Sequence, residues 1–441
     1  MRKAALHNLG CKVNSYETEA MQQLLEDAGY EIVPFAEAAD VYIINTCSVT
    51  NIADRKSRQM LHRAKKLNPD GVVVAAGCYV QAAAEELKKD AAVDIIIGNN
   101  KKTELVPILE AYFAGREEAD NVIEIDKTHE YENLSIDRIA DHTRAFIKVQ
   151  DGCNQFCSYC IIPYTRGRVR SRRPEDVVRE VTALVAKGYQ EIVLTGIHLS
   201  SYGVDFAEAE KEDLLGLIRR LHPIEGLCRI RLGSLEPRIV TEEFAGALAS
   251  MEKICPHFHL SLQSGCDATL KRMNRHYTTA DYEKRCQILR DAFGNPAITT
   301  DVIVGFPGET GEEFAQTKAY LERIHFYEMH IFKYSRRAGT RAAEMPDQVP
   351  EPVKTERSEV LLALEKQMSR QYRESQSGLI KDVLLEEKLT VDGADYMVGH
   401  TKEYVKVVVP YAQSRKNTVA VGRIGKNLTE EILTLEEAYG E

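Results

Sequence analysis

Three cysteines in the segment DGCNQFCSYCIIPYTRGRVRSRRP lie close enough together to hold a metal centre. Cys153, Cys157 and Cys160 have the spacing Cys-x3-Cys-x2-Cys and follow a predicted strand. Three thiolates on one short loop are able to bind three irons of a cubane [4Fe–4S] cluster, which leaves the fourth iron open to a small molecule. The spacing therefore predicts an iron–sulfur cluster.

Zinc is the alternative occupant of this loop. Structural zinc usually takes four ligands, often from two paired Cys or His elements. No second pair stands at suitable spacing, although His142 and His198 stay open as further ligands.

A second set of cysteines is dispersed along the first hundred residues. Cys11, Cys47 and Cys78 are 36 and 31 residues apart, and each follows a predicted strand. In an open parallel sheet those strand ends face a common crevice, so the three thiols are expected to converge and to hold a second cluster. The alternative is three small buried side chains. The other four cysteines show no ligand spacing and are expected to be structural: Cys228, Cys255, Cys266 and Cys286.

The elements that position these thiols alternate between strand and helix, which predicts an α/β protein. Residues 3–98 predict an open parallel sheet, and residues 144–335 predict six further parallel strands in a partial or full barrel. The strand-like runs after residue 376 predict a small antiparallel β-barrel. We therefore expect three domains, over residues 1–115, 139–370 and 374–441.

Composition narrows the class of protein. The 441 residues include 57 Lys and Arg against 67 Asp and Glu, a formal charge of −10, so the protein is not coated with positive charge. The N-terminus turns polar too soon for a signal peptide, and no apolar run approaches the roughly 20 residues of a membrane span. We expect a cytoplasmic protein with reduced thiols, which favours metal or redox chemistry over disulfides.

The cysteine loop, with Tyr159 before its last cysteine, resembles the radical S-adenosylmethionine (SAM) superfamily. The resemblance implies that SAM binds the open iron and is cleaved by one electron to a 5′-deoxyadenosyl radical. Residues at the later strand ends are expected to form the cofactor cleft, although ordinary turn or structural roles remain open for them. The expected cofactor-binding residues are Tyr159, Thr195, Gly196, Ser234, Glu236, Gln263 and Asp301.

The whole chain, with its N-terminal cysteine set and its C-terminal β-domain, is similar to the methylthiotransferases. The resemblance implies that both cysteine sets are catalytic: one cluster makes the radical, the other supplies sulfur, and a further SAM supplies the methyl group. It also implies an electron donor of the flavodoxin or ferredoxin type, a sulfur source and no membrane partner.

The stretch LGCKVNSYETE (residues 9–19) resembles the branch that modifies N6-threonylcarbamoyladenosine. The implied target is C2–H of that purine at position 37 of tRNA, next to the anticodon. Two other enzymatic substrates stay open, isopentenyladenosine-37 and an aspartate of a small-subunit ribosomal protein. A metal-containing RNA-binding protein without turnover is the non-enzymatic alternative.

Two groups of basic residues are candidates for RNA binding. Alternate arginines after the cysteine loop would point the same way in an extended chain, where they could neutralise the negative charge of a cluster, bind a carboxylate or bind tRNA phosphates. The C-terminal segment resembles a TRAM domain, a small RNA-binding barrel. A solvated surface is the alternative for both groups. The candidates are Arg166, Arg168, Arg170 and Arg172 in the first group, and Lys402, Lys406 and Arg423 in the second.

Overall fold

The computed structural model describes residues 1–116, 121–137 and 143–437. His142, considered above as a zinc ligand, lies outside the described residues.

The N-terminal unit is the predicted open sheet, in which all neighbouring strands are parallel. Its strand order is β2-β1-β3-β4-β5. The central strands β3 and β4 are buried along their whole length, which explains their continuous apolar sequence. The strands are β1 (Lys3–Asn8), β2 (Glu31–Ile32), β3 (Val41–Thr46), β4 (Val72–Gly77) and β5 (Ile95–Ile97). The helices are α1 (Lys12–Asp27), α2 (Asn51–Leu67), α3 (Cys78–Leu87) and α4 (Leu105–Phe113).

The central unit contains the six predicted parallel strands, arranged as a partial barrel. One sheet has the order β7-β6-β8-β9 and another has β10-β11-β12, and isolated bridges such as Ile230–Ile254 connect them. The short strand β7 was not predicted and runs antiparallel to β6. The strands are β6 (Arg144–Asp151), β7 (Arg170–Ser171), β8 (Glu191–Gly196), β9 (Arg229–Leu232), β10 (His257–His259), β11 (Ala297–Val304) and β12 (Glu328–Lys333).

Helices cover the outside of this partial barrel and bury the outward-facing apolar residues of its strands. They are α5 (Ile162–Arg166), α6 (Pro174–Ala186), α7 (Leu214–Leu221), α8 (Glu242–Ala249), α9 (Asp267–Arg272), α10 (Thr279–Phe293) and α11 (Gly311–Ile324).

A long helix, α12 (Glu351–Gln376), leads to the C-terminal β-domain. Its five strands pair in the order β13-β14-β15-β17-β16, and β16 returns to pair with β13. The pairing is antiparallel, as predicted, except between β15 and β17. The strands are β13 (Ile380–Val391), β14 (Ala394–Thr401), β15 (Lys406–Pro410), β16 (Val419–Asn427) and β17 (Leu433–Glu437).

The C-terminal β-domain packs on the N-terminal ends of the central strands. Arg229 at the start of β9 donates to the His400 carbonyl at 2.8 Å, and Arg231 donates to the Lys402 carbonyl at 2.8 Å. Arg144 at the start of β6 pairs with Glu386 at 2.8 Å. These contacts leave the C-terminal strand ends free for chemistry.

A buried carboxylate joins the N-terminal unit to the central unit. Glu17 on α1 is fully buried and lies 2.7 Å from Lys148, 2.8 Å from Arg166 and 3.1 Å from Lys102. Burial alone would raise the pKa of Glu17, but the three cations hold it well below its ordinary value. The carboxylate is therefore charged, and it fixes α1 against β6 and α5.

No helix in the described part of the chain is both long enough and apolar enough to cross a membrane.

We expect Glu17→Ala to lower the free energy of unfolding by about 3–5 kcal/mol, because the buried Lys102 loses its carboxylate partner while Lys148 and Arg166 keep only Asp151. Urea denaturation measures the loss. The control is Glu322→Ala on α11, which removes a partly exposed pair with Lys318 and should cost less than about 1 kcal/mol. Equal losses for the two variants would contradict this account of the interface.

Candidate active site

The first cysteine loop leaves β6 through a tight turn that only glycine permits. Gly152 has φ +70°, and a Cβ at this position would lie 1.8 Å from the Arg168 carbonyl oxygen. The loop is then held by backbone hydrogen bonds from Cys153 to the Gly167 carbonyl and from Ser158 to the Met273 carbonyl, both of 3.0 Å. The three thiols are thereby fixed at the C-terminal end of β6.

All three thiols of this loop line one cleft above the central strands. Four of the predicted cofactor residues line it too: Tyr159, Ser234, Glu236 and Gln263. The cleft is also lined by His198, considered above as a zinc ligand, and by residues that were not predicted: Gln155, Ile162, Ile197, Leu235, Ser261 and Arg275.

Arg275 contacts the first cysteine set directly, and no motif in the sequence indicates this contact. Its guanidinium donates to the Cys157 sulfur at 3.3 Å, to Tyr277 Oη at 2.9 Å and to the Ser261 carbonyl at 3.1 Å. Burial raises the pKa of Cys153 to about 11 and of Cys160 to about 12. Metal binding at this loop must therefore release protons, and Arg275 supplies positive charge beside the resulting thiolates.

Three predicted cofactor residues do not line the cleft. Thr195 is buried, and a Cβ at Gly196 would lie 2.9 Å from Gln150 Oε1. The two residues that follow them, Ile197 and His198, line it instead. Asp301 lies in the middle of β11, as the sequence predicts, and it is not among the residues that line the cleft.

His198 enters the cleft as a neutral side chain. Burial lowers its pKa to about 4, and its Nδ1 lies 2.7 Å from the Ser201 hydroxyl. Its Nε2 is buried and has no hydrogen-bond partner in the described structure. His198 is thus able to accept or donate one hydrogen bond to a molecule bound in the cleft.

The second cysteine set converges as the strand positions predict. Cys11 caps α1, Cys47 follows β3, and Cys78 opens α3. A Cβ at Gly10, which has φ +118°, would lie 3.1 Å from the Cys47 sulfur, so this glycine lets the two cysteine segments approach. Burial raises the pKa of Cys47 to about 11, and the neighbouring thiols Cys78 and Cys11 add to the effect.

Cys78 receives two side-chain hydrogen bonds from the other elements around it. Arg166 Nε donates to its sulfur at 3.3 Å, and Asn99 Nδ2 donates at 3.6 Å. Arg166 therefore contacts both the buried carboxylate of Glu17 and a thiol of the second set.

The arginines after the cysteine loop do not form the predicted anion-binding row. The turn at Gly167 interrupts the extended chain, and Arg166, Arg170 and Arg172 are buried. Arg170 lies 3.8 Å from Asp151, and Arg172 pairs with Glu180. These three side chains stabilise the interior. Arg168 is exposed and stacks on Phe156, with 4.6 Å between the guanidinium carbon and the ring centroid.

The three candidate RNA-binding residues of the C-terminal β-domain contact different parts of the protein. Lys402 donates to the Glu252 carbonyl at 2.9 Å, and Arg423 donates to the Gly378 carbonyl at 2.7 Å. Lys406 is exposed in a cleft of about 840 Å³ between this domain and α12, together with Lys366, Arg370 and Arg373. RNA binding by these residues stays a prediction.

Two family models match separate parts of the chain, and each part contains one of the two cysteine sets. Residues 3–98 match the family described as "Uncharacterized protein family UPF0004". Residues 147–321 match the radical SAM superfamily. The fold resembles the radical SAM methyltransferase TsrM from Kitasatospora setae, solved with cobalamin and a [4Fe-4S] cluster. The TM-score is 0.58 at 18% identity, over 89% of this chain and 81% of that one.

Three relatives that cover nearly the whole chain are named as tRNA-modifying enzymes. The chain is 42% identical, over 100% of its length and 96% of the relative, to the threonylcarbamoyladenosine tRNA methylthiotransferase MtaB of Bacillus subtilis. It is 41% identical to the MtaB of Aquifex aeolicus, over 92% of this chain and 99% of that one. It is 37% identical to the tRNA-2-methylthio-N(6)-dimethylallyladenosine synthase of Carboxydothermus hydrogenoformans, over 90% of this chain and 91% of that one.

The chain is thus a radical SAM enzyme, a transferase whose superfamily uses SAM and [4Fe–4S] clusters. It belongs to the family of tRNA methylthiotransferases.

We expect Arg275→Leu to lower the reduction potential of the cluster bound by the first cysteine set, by about 60 mV. Removing a positive charge beside Cys157 destabilises the more negative reduced cluster. A redox titration followed by electron paramagnetic resonance measures the shift. Arg275→Lys, which keeps the charge, should retain most of the potential. An unchanged potential in the leucine variant would contradict the role of Arg275.

Proposed function

We propose that this enzyme adds a methylthio group to C2 of N6-threonylcarbamoyladenosine at position 37 of tRNA, next to the anticodon. The observation that carries the proposal is the identity of 42% across the whole chain with an enzyme named for that substrate. The proposed tRNA substrate supports a cytoplasmic location, which the cysteine usage also predicts.

We propose one [4Fe–4S] cluster on each cysteine set. Cys153, Cys157 and Cys160 would hold the first, and Cys11, Cys47 and Cys78 the second. When bound, the first would supply the electron that cleaves SAM, and the second would carry the sulfur. The protein's part is electrostatic, because Arg275 and Arg166 each donate a hydrogen bond to a thiol that must be negative when it binds iron.

The residues that line the cleft of the first cysteine set support a SAM site beside the proposed first cluster. Glu236 is held in place by Arg238 at 2.7 Å, and Gln263 is held by the hydrogen bond from its N–H to the Asp301 carbonyl at 2.8 Å. Together with Tyr159, Ser234 and His198 they offer polar atoms toward one space. In this arrangement Ile197 and His198 take the place predicted for Thr195 and Gly196.

The remaining assignments follow from the family. The three units correspond to proposed domains over residues 1–115, 139–370 and 374–441, the last with a TRAM-like role in binding tRNA. An electron donor of the flavodoxin or ferredoxin type and a sulfur source complete the proposed partners.

Methylthiolation of the dimethylallyl (isopentenyl) adenosine is the second candidate. Relatives with that activity in their names are 36–38% identical over 86–92% of this chain. The reaction would be the same, and only the group on N6 would differ.

The two-cluster proposal predicts the iron content of cysteine variants. Wild-type protein, reconstituted without oxygen, should bind about eight irons, and replacing either cysteine set by alanine should leave about four. Replacing the buried Cys255 and Cys286 is the control and should leave about eight. Complete loss of iron from one triple variant would contradict two independent sites.

A single substitution tests the role of the first set. Cys157→Ala should abolish formation of 5′-deoxyadenosine from SAM while tRNA binding stays nearly unchanged. Chromatography of the reaction and a gel-shift assay with tRNA measure the two properties. Continued cleavage of SAM would show that the assignment of this cysteine set is wrong.

The substrate is tested by deleting the gene and analysing digested total tRNA by liquid chromatography with mass spectrometry. We expect loss of the 2-methylthio form of N6-threonylcarbamoyladenosine and accumulation of the form without sulfur. Loss of the methylthiolated isopentenyl nucleoside instead would support the second candidate. The expressed gene should restore the missing nucleoside.

A further inference from the structure

A polar site lies inside the partial barrel, directly below the cleft of the first cysteine set. Along β10 and its extension, Phe258, Leu260 and Leu262 belong to the apolar core, so the alternate residues face the interior. His259 is one of these, and Ser261, the next on the same face, lines the cleft. The separation of the two is about 7 Å along the strand.

Three interior side chains meet at this level, one from each of three adjacent strands. His259 Nε2 lies 3.3 Å from Asp301 Oδ2, and the rings of His259 and His330 stack with centroids 5.8 Å apart. His259 Nδ1 is held by the Thr299 hydroxyl at 3.0 Å. Among the described residues, Asp301 has no ion-pair partner other than the His259 imidazole. Its carboxylate therefore has free acceptor capacity.

Lys12 brings a cation to the same space from the N-terminal unit. It is the first residue of α1 and follows Cys11 of the second cysteine set. Its side chain has no hydrogen bond or ion pair with any residue that the structure describes. Its ammonium group is within electrostatic range of Asp301, Arg231, Arg144 and Glu191.

The other cations at this level are already neutralised. Arg231 pairs with Glu191 at 2.7 Å, and Arg144 pairs with Glu386 at 2.8 Å. Lys12 is thus the cation of this group that remains available to an external anion.

We propose that Lys12 binds the carboxylate of the threonylcarbamoyl group, while Asp301 and His330 bind its hydroxyl and its ureido N–H groups. The proposal rests on the proposed function and names the residues that decide between its two candidate substrates. A charge-assisted hydrogen bond to the carboxylate is the strongest contact that this group can make. An apolar dimethylallyl group would leave Lys12 and Asp301 desolvated and without partners, so the site rejects it.

The position of the site agrees with the reaction. Lys12 directly follows Cys11 of the second cysteine set in the sequence. His259 is two residues before Ser261, which lines the cleft of the first set.

The test uses the full-length chain with its clusters reconstituted and four anticodon stem-loop RNAs. Position 37 carries N6-threonylcarbamoyladenosine, its carboxylate methyl ester, isopentenyladenosine or unmodified adenosine. Fluorescence anisotropy gives Kd for wild type, Lys12→Met, Lys12→Arg and Asp301→Asn. Lys56→Met is the matched control, because Lys56 is exposed on α2 away from this site. Iron content and absorbance spectra confirm that each variant retains both clusters.

Wild type should bind the acid about tenfold more tightly than the methyl ester. Lys12→Met should abolish that difference, Lys12→Arg should keep it, and Lys56→Met should match wild type. Asp301→Asn should weaken binding of the acid about tenfold and change Kd for the unmodified RNA little.

Two results would overturn the inference alone. One is an unchanged preference for acid over ester in Lys12→Met. The other is one equivalent of tightly bound zinc in wild type that is absent from Asp301→Asn, since two histidines and a carboxylate are also a metal-ligand set. If wild type instead prefers the isopentenyl RNA, the proposed function fails together with the inference.

Discussion

The carboxylate of Glu17 is fully buried and negatively charged. Three cations from separate parts of the chain surround it: Lys102, Lys148 and Arg166. Removing these charges from water is costly, and only their mutual contacts and hydrogen bonds compensate for it. The arrangement therefore holds α1 of the N-terminal unit against β6 and α5 of the central unit in one geometry. Arg166 extends this network to the second cysteine set, because its Nε donates to the Cys78 sulfur.

The two cysteine sets depend on different kinds of structure. The first is local: a loop that begins at Gly152 brings three thiols together within a few residues of β6. The second is assembled by the sheet, since Cys11, Cys47 and Cys78 each stand where a parallel strand ends. Each set has one thiol that accepts a hydrogen bond from an arginine, Cys157 from Arg275 and Cys78 from Arg166. Such a donor would stabilise a thiolate bound to iron at one sulfur of each proposed cluster.

The C-terminal β-domain packs on the end of the partial barrel opposite to the cleft of the first cysteine set. Arg229, Arg231 and Arg144 reach from the starts of central strands into this domain, where carbonyl and carboxylate groups neutralise them. Lys12, His259, Asp301 and His330 are the polar side chains of the proposed substrate site, and Lys12 and His330 are exposed. Such side chains suit a charged, hydrogen-bonding group on the substrate and disfavour an apolar one.

Spacing and strand order were enough to predict the α/β fold and the approach of Cys11, Cys47 and Cys78 to one another, because the ends of parallel strands lie at the same edge of a sheet. The prediction that alternate arginines form one exposed row was wrong, since the turn at Gly167 and long-range ion pairs bury Arg166, Arg170 and Arg172. Arg166 instead donates to a thiol of the second cysteine set, Cys78. Arg275 reaches Cys157, and Lys12 approaches Asp301, only through the packing of elements more than a hundred residues apart. Such contacts leave no periodicity in the chain, so the tertiary structure alone decides them.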